Sequence, residues 1–405
     1  MKFLKKIFNN FKRNKKNNDV VSCNLAYASS LQQQVQKDKK NYLYIDWPFG
    51  NYVFDEMEKA NYENINLIKF SQLEFLNLEN RSALKRISDQ KSKEAEEAYL
   101  SLFKQLNIDG VLFTHDWHVS FRVLIEALKK EGIKTICIVH EGVFQNENLF
   151  YDSQKPICDL VLCWGELHKK IFTRRGYDED KIFAVGSIKL NGYKKFKPTI
   201  SKNEMFNKLN LDINNKTILY CCQLCDNQWG DQDNALKEQR RLIKDLIDIS
   251  QENNYNLIVR NAPAQPRFIL PDDFMKQFNG IKNVVFEGQD LSNMAKSSYL
   301  TNSSDNLYYS DIIVGMNTTM QIEGTLLHKP AIVAAYFDFD PKWHHELGLP
   351  ICYNFEQLQD TIIKFIENKS GLIQEEKRNS FYKDYGFEED LGYDPIKNIE
   401  EFISK

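Results

Sequence analysis

SDIIVGMNTTMQIEGTLLHKPAIVAAY, residues 310–336, decides the fold. Ile312 to Val314 is a short apolar, β-branched run, the composition of a buried strand. Gly315 closes it, and Asn317, Thr318 and Thr319 follow, residue types that cap a helix. Met320 to Leu327 supplies that helix, Pro330 stops it, and Ala331 to Ala335 forms the next strand. Strand, turn, helix and strand make a βαβ unit. The helix start offers N–H groups and a positive dipole end, which suits a phosphate. Glu323 stands one turn in, where a carboxylate reaches ribose hydroxyls. The plainer reading of the same residues is a βαβ unit with a Thr cap and a Glu that compensates the dipole.

The same alternation extends upstream. Strands are expected at Tyr42 to Asp46, Ile65 to Phe70, Gly110 to Thr114, Thr135 to Val139, Leu160 to Cys163 and Ile182 to Val185. Helices are expected over Arg81 to Leu106, Val119 to Lys130 and Glu166 to Arg175. Residues 20–40 are polar and Gln-rich and read as a linker. Residues 189–215 lack periodicity and mark a domain boundary. A second series follows, with strands at Thr217 to Cys222, Asn256 to Arg260 and Val284 to Phe286 and helices at Asn234 to Gln251 and Phe355 to Asn368. Strands alternating with helices imply parallel sheets. The expected architecture is α/β, two Rossmann-like domains facing a central cleft. Residues 21–195 form one domain and 216–375 the other, and 376–405 is a tail whose helix, from Pro395, packs back on the first.

Composition excludes several classes. The chain has 405 residues, 42% hydrophobic and 27% charged, enough for two cores. A net charge of −3 gives no case for nucleic acid. The 8 cysteines show no framework spacing and read as free thiols of a reducing compartment. No apolar run approaches the roughly 20 residues of a membrane span. The exception to the neutral balance is residues 1–20. Lys2, Lys5, Lys6, Lys12, Arg13, Lys15 and Lys16 precede the first acid, Asp19, and Phe3, Leu4, Ile7, Phe8 and Phe11 share one helical face. Such an arm lies on an anionic membrane surface, or is a disordered basic tail.

Three stretches carry a family resemblance. VHEGVF followed by CDLVLCWGELHKKIFTRRGYDEDKIFAVGS, NLIVRNAP, and SDIIVGMNTTMQIEGTLLHKP resemble GT-B glycosyltransferases of bacterial surface-polysaccharide synthesis, among them capsule polysaccharide transferases, sialyltransferase-like enzymes and glycerophosphotransferases of teichoic acid synthesis. The resemblance implies that Asn317, Thr318 and Thr319 hold donor phosphates, that Glu323 holds the ribose, and that Arg260 neutralises a diphosphate or leaving group. Ala262 departs from the pattern, standing where the family has the His of His-Pro. Gln223 joins the donor side, and the following loop, Asp226 to Asp233, at a strand's carboxyl end, binds donor or acceptor.

An inverting transfer also needs a group that takes the acceptor hydroxyl's proton. Glu141 and His140, at a strand end, are the first and second candidates, and Asp116 is the third. Asp116 also reads as the cap of the helix that follows. His115, Asp116 and His118 lack a further metal ligand nearby. No metal and no cofactor beyond the nucleotide-sugar co-substrate is expected.

The combined reading is a metal-independent transferase that moves a sugar from a nucleotide-sugar to a glycan or lipid-linked glycan acceptor. It would work in the cytoplasm, peripheral on the inner face of the membrane. A UDP-sugar 2-epimerase of the same layout and a non-catalytic glycan-binding member are the alternatives.

Overall fold

The computed structural model describes residues 22–46, 51–116, 119–140, 157–174, 176–223, 225, 231–261, 270–288, 300–367, 374–387 and 394–404. The chain forms two compact units. The first comprises residues 1–143, 147–191 and 383–405, and the second 144–146 and 192–382. Each is built on a six-stranded, all-parallel sheet, so the expected α/β architecture with two Rossmann-like domains is present.

In the first unit β1 (Lys40–Ile45), β2 (Ile65–Phe70), β3 (Gly110–Phe113), β4 (Lys134–Ile138), β5 (Leu160–Cys163) and β6 (Ile182–Ala184) run in the order β2-β1-β3-β4-β5-β6. The near-continuous apolar runs of these strands follow from burial on both faces. Alternate residues turn to opposite sides. Leu43 and Ile45 join the core with Val111, Phe113 and Phe103. Tyr42 and Tyr44 join another with Leu112, Ile136, Ile399 and Ile403. The last two belong to the helix Pro395–Ser404, so the C-terminal tail covers one face of this sheet. Tyr42 donates from its hydroxyl to the carbonyl of Ile403 at 2.7 Å, and Tyr62 to that of Ile396 at 3.1 Å. The returning chain also crosses close to Gly165. A Cβ there would collide with the backbone of Asp384 and Tyr385, and Gly386 beside it has φ +66°.

In the second unit β7 (Thr217–Cys221), β8 (Asn256–Arg260), β9 (Val284–Glu287), β10 (Ile312–Gly315), β11 (Ala331–Ala334) and β12 (Ile351–Cys352) run in the order β12-β11-β10-β7-β8-β9. This is the doubly wound order, with the chain reversing direction across the sheet between β7 and β10. The 22-residue helix Gln232–Asn253 and the helix Phe355–Ile366 supply Leu242, Leu246, Leu358 and Ile362 to the core on this sheet.

Three expectations change. Residues 25–34 form a helix, capped by Asn24 and buried through Ala28 and Leu31, where a linker was read. The helix expected over Arg81 to Leu106 is two, Arg81–Asp89 and Lys93–Leu106. Lys91 turns left-handed at φ 48° and Ser92 caps the second helix through Ala95 N–H. The stretch 189–215 also holds structure, with a helix over Lys202–Leu209 that buries Met205, Phe206 and Leu209.

Candidate functional site

The C-terminal ends of β7, β8 and β10 gather most of the polar residues singled out above. β10 stops at Gly315, where a Cβ would approach Thr318 Cγ2 to 2.6 Å, so a side chain there would push the Thr318 side chain aside. Gln321, fully buried, braces this turn. Its Nε2 donates to the carbonyls of Gly315 (3.1 Å) and Ile332 (2.9 Å), and its Oε1 accepts from Thr318 N–H (3.2 Å). The Thr318 hydroxyl accepts from Met320 N–H at 3.3 Å. Thr318 therefore caps the helix Met320–Leu326, and Thr319, itself helical at φ −60°, makes no side-chain cap. Both Thr318 groups expected to meet a phosphate are engaged within the turn. Asn317, Thr318 and Thr319 remain half-buried. Asn317 Oδ1 accepts from the indole Nε1 of Trp343 at 2.9 Å, which fixes which end of the amide the Trp holds.

Glu323 is 2% exposed. The Thr319 hydroxyl donates to its Oε1 at 3.3 Å, and the Tyr193 hydroxyl to its Oε2 at 2.6 Å. Burial and the neighbouring carboxylate push the Tyr193 pKa up, so its hydroxyl stays protonated and donates. The Cys221 thiol, raised by burial, feels both Arg260 and Glu323, which places the two charges about the end of β7.

Gln223 follows β7. Its backbone is stapled by the buried Gln239 of the helix Gln232–Asn253. Gln239 Oε1 accepts from Gln223 N–H at 2.5 Å and from the Tyr220 hydroxyl at 3.1 Å, and its Nε2 donates to the Gln223 carbonyl at 3.3 Å. Asp231 caps the same helix through Asn234 N–H.

Arg260 is placed otherwise than a diphosphate clamp requires. Its guanidinium pairs with Glu287 at 2.7 Å and donates to the carbonyl of Thr301 at 3.1 Å, leaving 12% of the side chain exposed. Glu287, 0% exposed, also accepts from Thr301 N–H, the Thr301 hydroxyl and Asn306 Nδ2. The positive charge is thus already offset inside the protein. Arg260 lines a cavity of about 460 Å³ with Thr199, Lys208, Thr301 and Asn302.

In the first unit the ends of β3 and β4 bring His115, Asp116 and His140 together. His140 is buried. Its Nδ1 lies 2.9 Å from the Thr114 carbonyl, which accepts only if the proton is on Nδ1, so Nε2 is the basic nitrogen. Its own carbonyl accepts from the Tyr52 hydroxyl at 2.9 Å, and its ring lies 5.3 Å from that of His115.

Asp116, the third candidate base, is tied into the fold. It is 2% exposed, and its Oδ2 accepts from the N–H groups of Ile157 (2.8 Å) and Cys158 (3.3 Å). Its Oδ1 accepts from the Tyr177 hydroxyl at 3.1 Å. Burial raises its pKa against these bonds. Asp116 ties the lead-in to β5 to Tyr177. Glu141, Trp117, His118, Ala262, residues 226–230 and the arm 1–20 lie outside the described residues. Among the described residues no three His, Cys, Asp or Glu side chains gather as a metal site, and no helix is long and apolar enough to cross a membrane.

Sequence reasoning missed Tyr193, Gln239, Gln321, Glu287 and Trp343. Gln321 carried a faint signal, a polar residue at a position the helix buries. Tyr193 carried none, since it meets Glu323 from 130 residues away.

No protein-family model matches the chain, and no curated protein matches it. Solved structures do. A candidate UDP-N-acetylglucosamine 2-epimerase from Listeria monocytogenes superposes with a TM-score of 0.62 at 14% identity, over 91% of this chain and 98% of that one. The UDP-GlcNAc 2-epimerase of Neisseria meningitidis, solved with UDP-GlcNAc, gives 0.58 at 14% identity over 90% and 99%. The wall teichoic acid polymerase TagF gives 0.55 at 12% identity over 100% and 97%. These likenesses establish the GT-B kind of two-domain fold.

Proposed function

We propose that the second unit binds a nucleotide-sugar and that the protein transfers its glycosyl group to a glycan acceptor. The observation that carries this is topological. Gln223 and the run Asn317 to Glu323 flank the β7/β10 reversal, the crevice where doubly wound sheets take nucleotides. Thr319 and Asn317 would meet the phosphates and Glu323 a ribose hydroxyl. In the transfer the acceptor oxygen attacks the anomeric carbon and the bond to the phosphate oxygen breaks. The nucleotide leaves with the electron pair, the acceptor's proton passes to a base, and attack opposite the leaving group inverts the centre. His140, with its proton held on Nδ1 and its basic Nε2, is the described candidate for that base, and Glu141 is the other.

The likeness to solved UDP-GlcNAc 2-epimerases favours a second reading, epimerisation without acceptor. Incubating the full chain with UDP-GlcNAc and a panel of CDP-, GDP- and CMP-sugars, followed by NMR, separates the two. Transfer predicts consumption only when a glycan acceptor is added. A 2-epimer formed from the nucleotide-sugar alone would replace this reading with the second.

Residues 1–19 complete the proposal as a reversible attachment to anionic membrane, at about 1 kcal/mol for each basic residue near the surface. Truncation of these residues should release the protein from vesicles containing anionic lipid and leave activity on a soluble acceptor unchanged. Equal vesicle binding by both forms would remove the membrane from the proposal.

A further inference from the structure

Tyr193 stands at the start of the second unit, in the 3-10 turn Gly192–Lys195, directly after the chain leaves the first unit at Asn191. Its hydroxyl lies 2.6 Å from Glu323 Oε2 and 3.3 Å from Ser304 Oγ. The residues that follow are stitched to the helix Ser303–Tyr309 beside the same site. Thr199 donates from N–H and Oγ1 to Asp305 at 2.8 and 2.5 Å. Tyr309 donates from its hydroxyl to the carbonyl of Ile200 at 2.7 Å. Phe196 lies 6.1 Å from the Tyr193 ring and 5.9 Å from that of Tyr308.

A carboxylate buried without donors carries a heavy desolvation cost, so Glu323 requires O–H or N–H groups whether or not a ligand is present. The Thr319 hydroxyl, at 3.3 Å, is the longer contact. The Tyr193 hydroxyl, at 2.6 Å, has the length of a charge-assisted bond. A ribose hydroxyl is chemically the same kind of donor, a neutral O–H. Exchanging one for the other leaves the carboxylate satisfied. Glu323 is 2% exposed, so a ligand hydroxyl meets it only by taking the place of a partner it already has, and the Tyr193 hydroxyl is a nearer donor than that of Thr319.

We infer that Tyr193 is a residue of the nucleotide site, holding the Glu323 carboxylate while the site is empty and giving way to a sugar hydroxyl on binding. Occupancy is thereby passed to the segment 192–200, where the chain enters the second unit. This rests on the reading of Glu323 as the ribose acid.

The test uses the full chain with UDP and CMP as probes, titrated by calorimetry, and hydrogen exchange on the unmutated protein. Tyr193→Phe keeps the ring and removes the competing O–H. It should tighten nucleotide binding about 5- to 20-fold, the reverse of one charged hydrogen bond's usual effect, while lowering Tm by a few degrees. Peptides spanning 190–200 should exchange faster when nucleotide is bound. A purely structural Tyr193 would lower Tm without tightening binding. Binding that needs Glu323 but is unchanged or weakened in Tyr193→Phe, with no change in exchange over 190–200, overturns the inference and leaves the site reading standing. Absence of binding by the unmutated protein to either probe overturns both.

Discussion

Asp116 and Glu323 are each 2% exposed, each stands near strand ends of a parallel sheet, and each accepts from a tyrosine hydroxyl. They differ in what else holds them. Asp116 accepts two backbone N–H groups, from Ile157 and Cys158, which nothing but a side chain at this position can replace. Glu323 accepts, among its contacts, from the hydroxyls of Thr319 and Tyr193, donors that rotate and that a ligand's hydroxyl can imitate. Burial therefore does not mark a binding acid. The kind of partner separates the two, because a backbone donor commits a carboxylate to the fold and a hydroxyl leaves it exchangeable.

The comparison breaks or holds first on stability. Asp116→Ala strands the N–H groups of Ile157 and Cys158 and the Tyr177 hydroxyl and should cost about 3–5 kcal/mol. Glu323→Ala frees hydroxyls that can turn to other partners and should cost about 1–2 kcal/mol. Denaturant unfolding read by hydrogen exchange on peptides of each unit resolves them, since a two-unit chain does not unfold as one transition. Equal losses would erase the distinction.

A buried base sharpens the same point. His344 is fully buried against Trp343, with ring centroids 3.5 Å apart, and Trp343 in turn holds Asn317. Burial, with the neighbouring His345, brings its pKa down from 6.5 to about 3. A base whose folded pKa is depressed contributes full stability above its unfolded value and loses it as pH falls toward the folded value. The second unit should lose about 2 kcal/mol between pH 7 and pH 5 from this residue. His344→Phe should flatten that dependence. A Tm profile over pH 5–7 unchanged by the substitution would show that the imidazole does not resist protonation.

Much of this fold was legible in the sequence, and the reasons are local. β5 and β8 coincide with their apolar runs, since a strand buried on both faces writes itself as a near-continuous apolar stretch, and the edge strand β2 coincides too, with Asn66 and Lys69 breaking its run. The helix Leu25–Gln34 was not legible, because it buries little more than Ala28 and Leu31 among Gln and Ser. The two-residue β12 was too short to leave a pattern. At the candidate site, the turn and helix start formed by Asn317, Thr318, Thr319 and Glu323 were legible because such a start has its own grammar of residue types. Their supports were not. Tyr193, Gln239 and Trp343 reach the site across long stretches of chain, and only the fold determines which polar side chains meet there. Arg260 shows the converse. Its strand-end position was read correctly, but the buried Glu287 that neutralises it lies on the next strand.

Glu323 at the β7/β10 reversal is the residue proposed to hold a nucleotide in the second unit. Calorimetric titration of the full chain and of Glu323→Gln with UDP, CMP, CDP and GDP tests it directly. Saturable binding of at least one of these is expected, weakened about 10- to 100-fold in the variant, which keeps the volume of the side chain and loses the charge that accepts a hydroxyl. Equal affinity in a folded Glu323→Gln protein, or no binding by the unmutated chain, would contradict it.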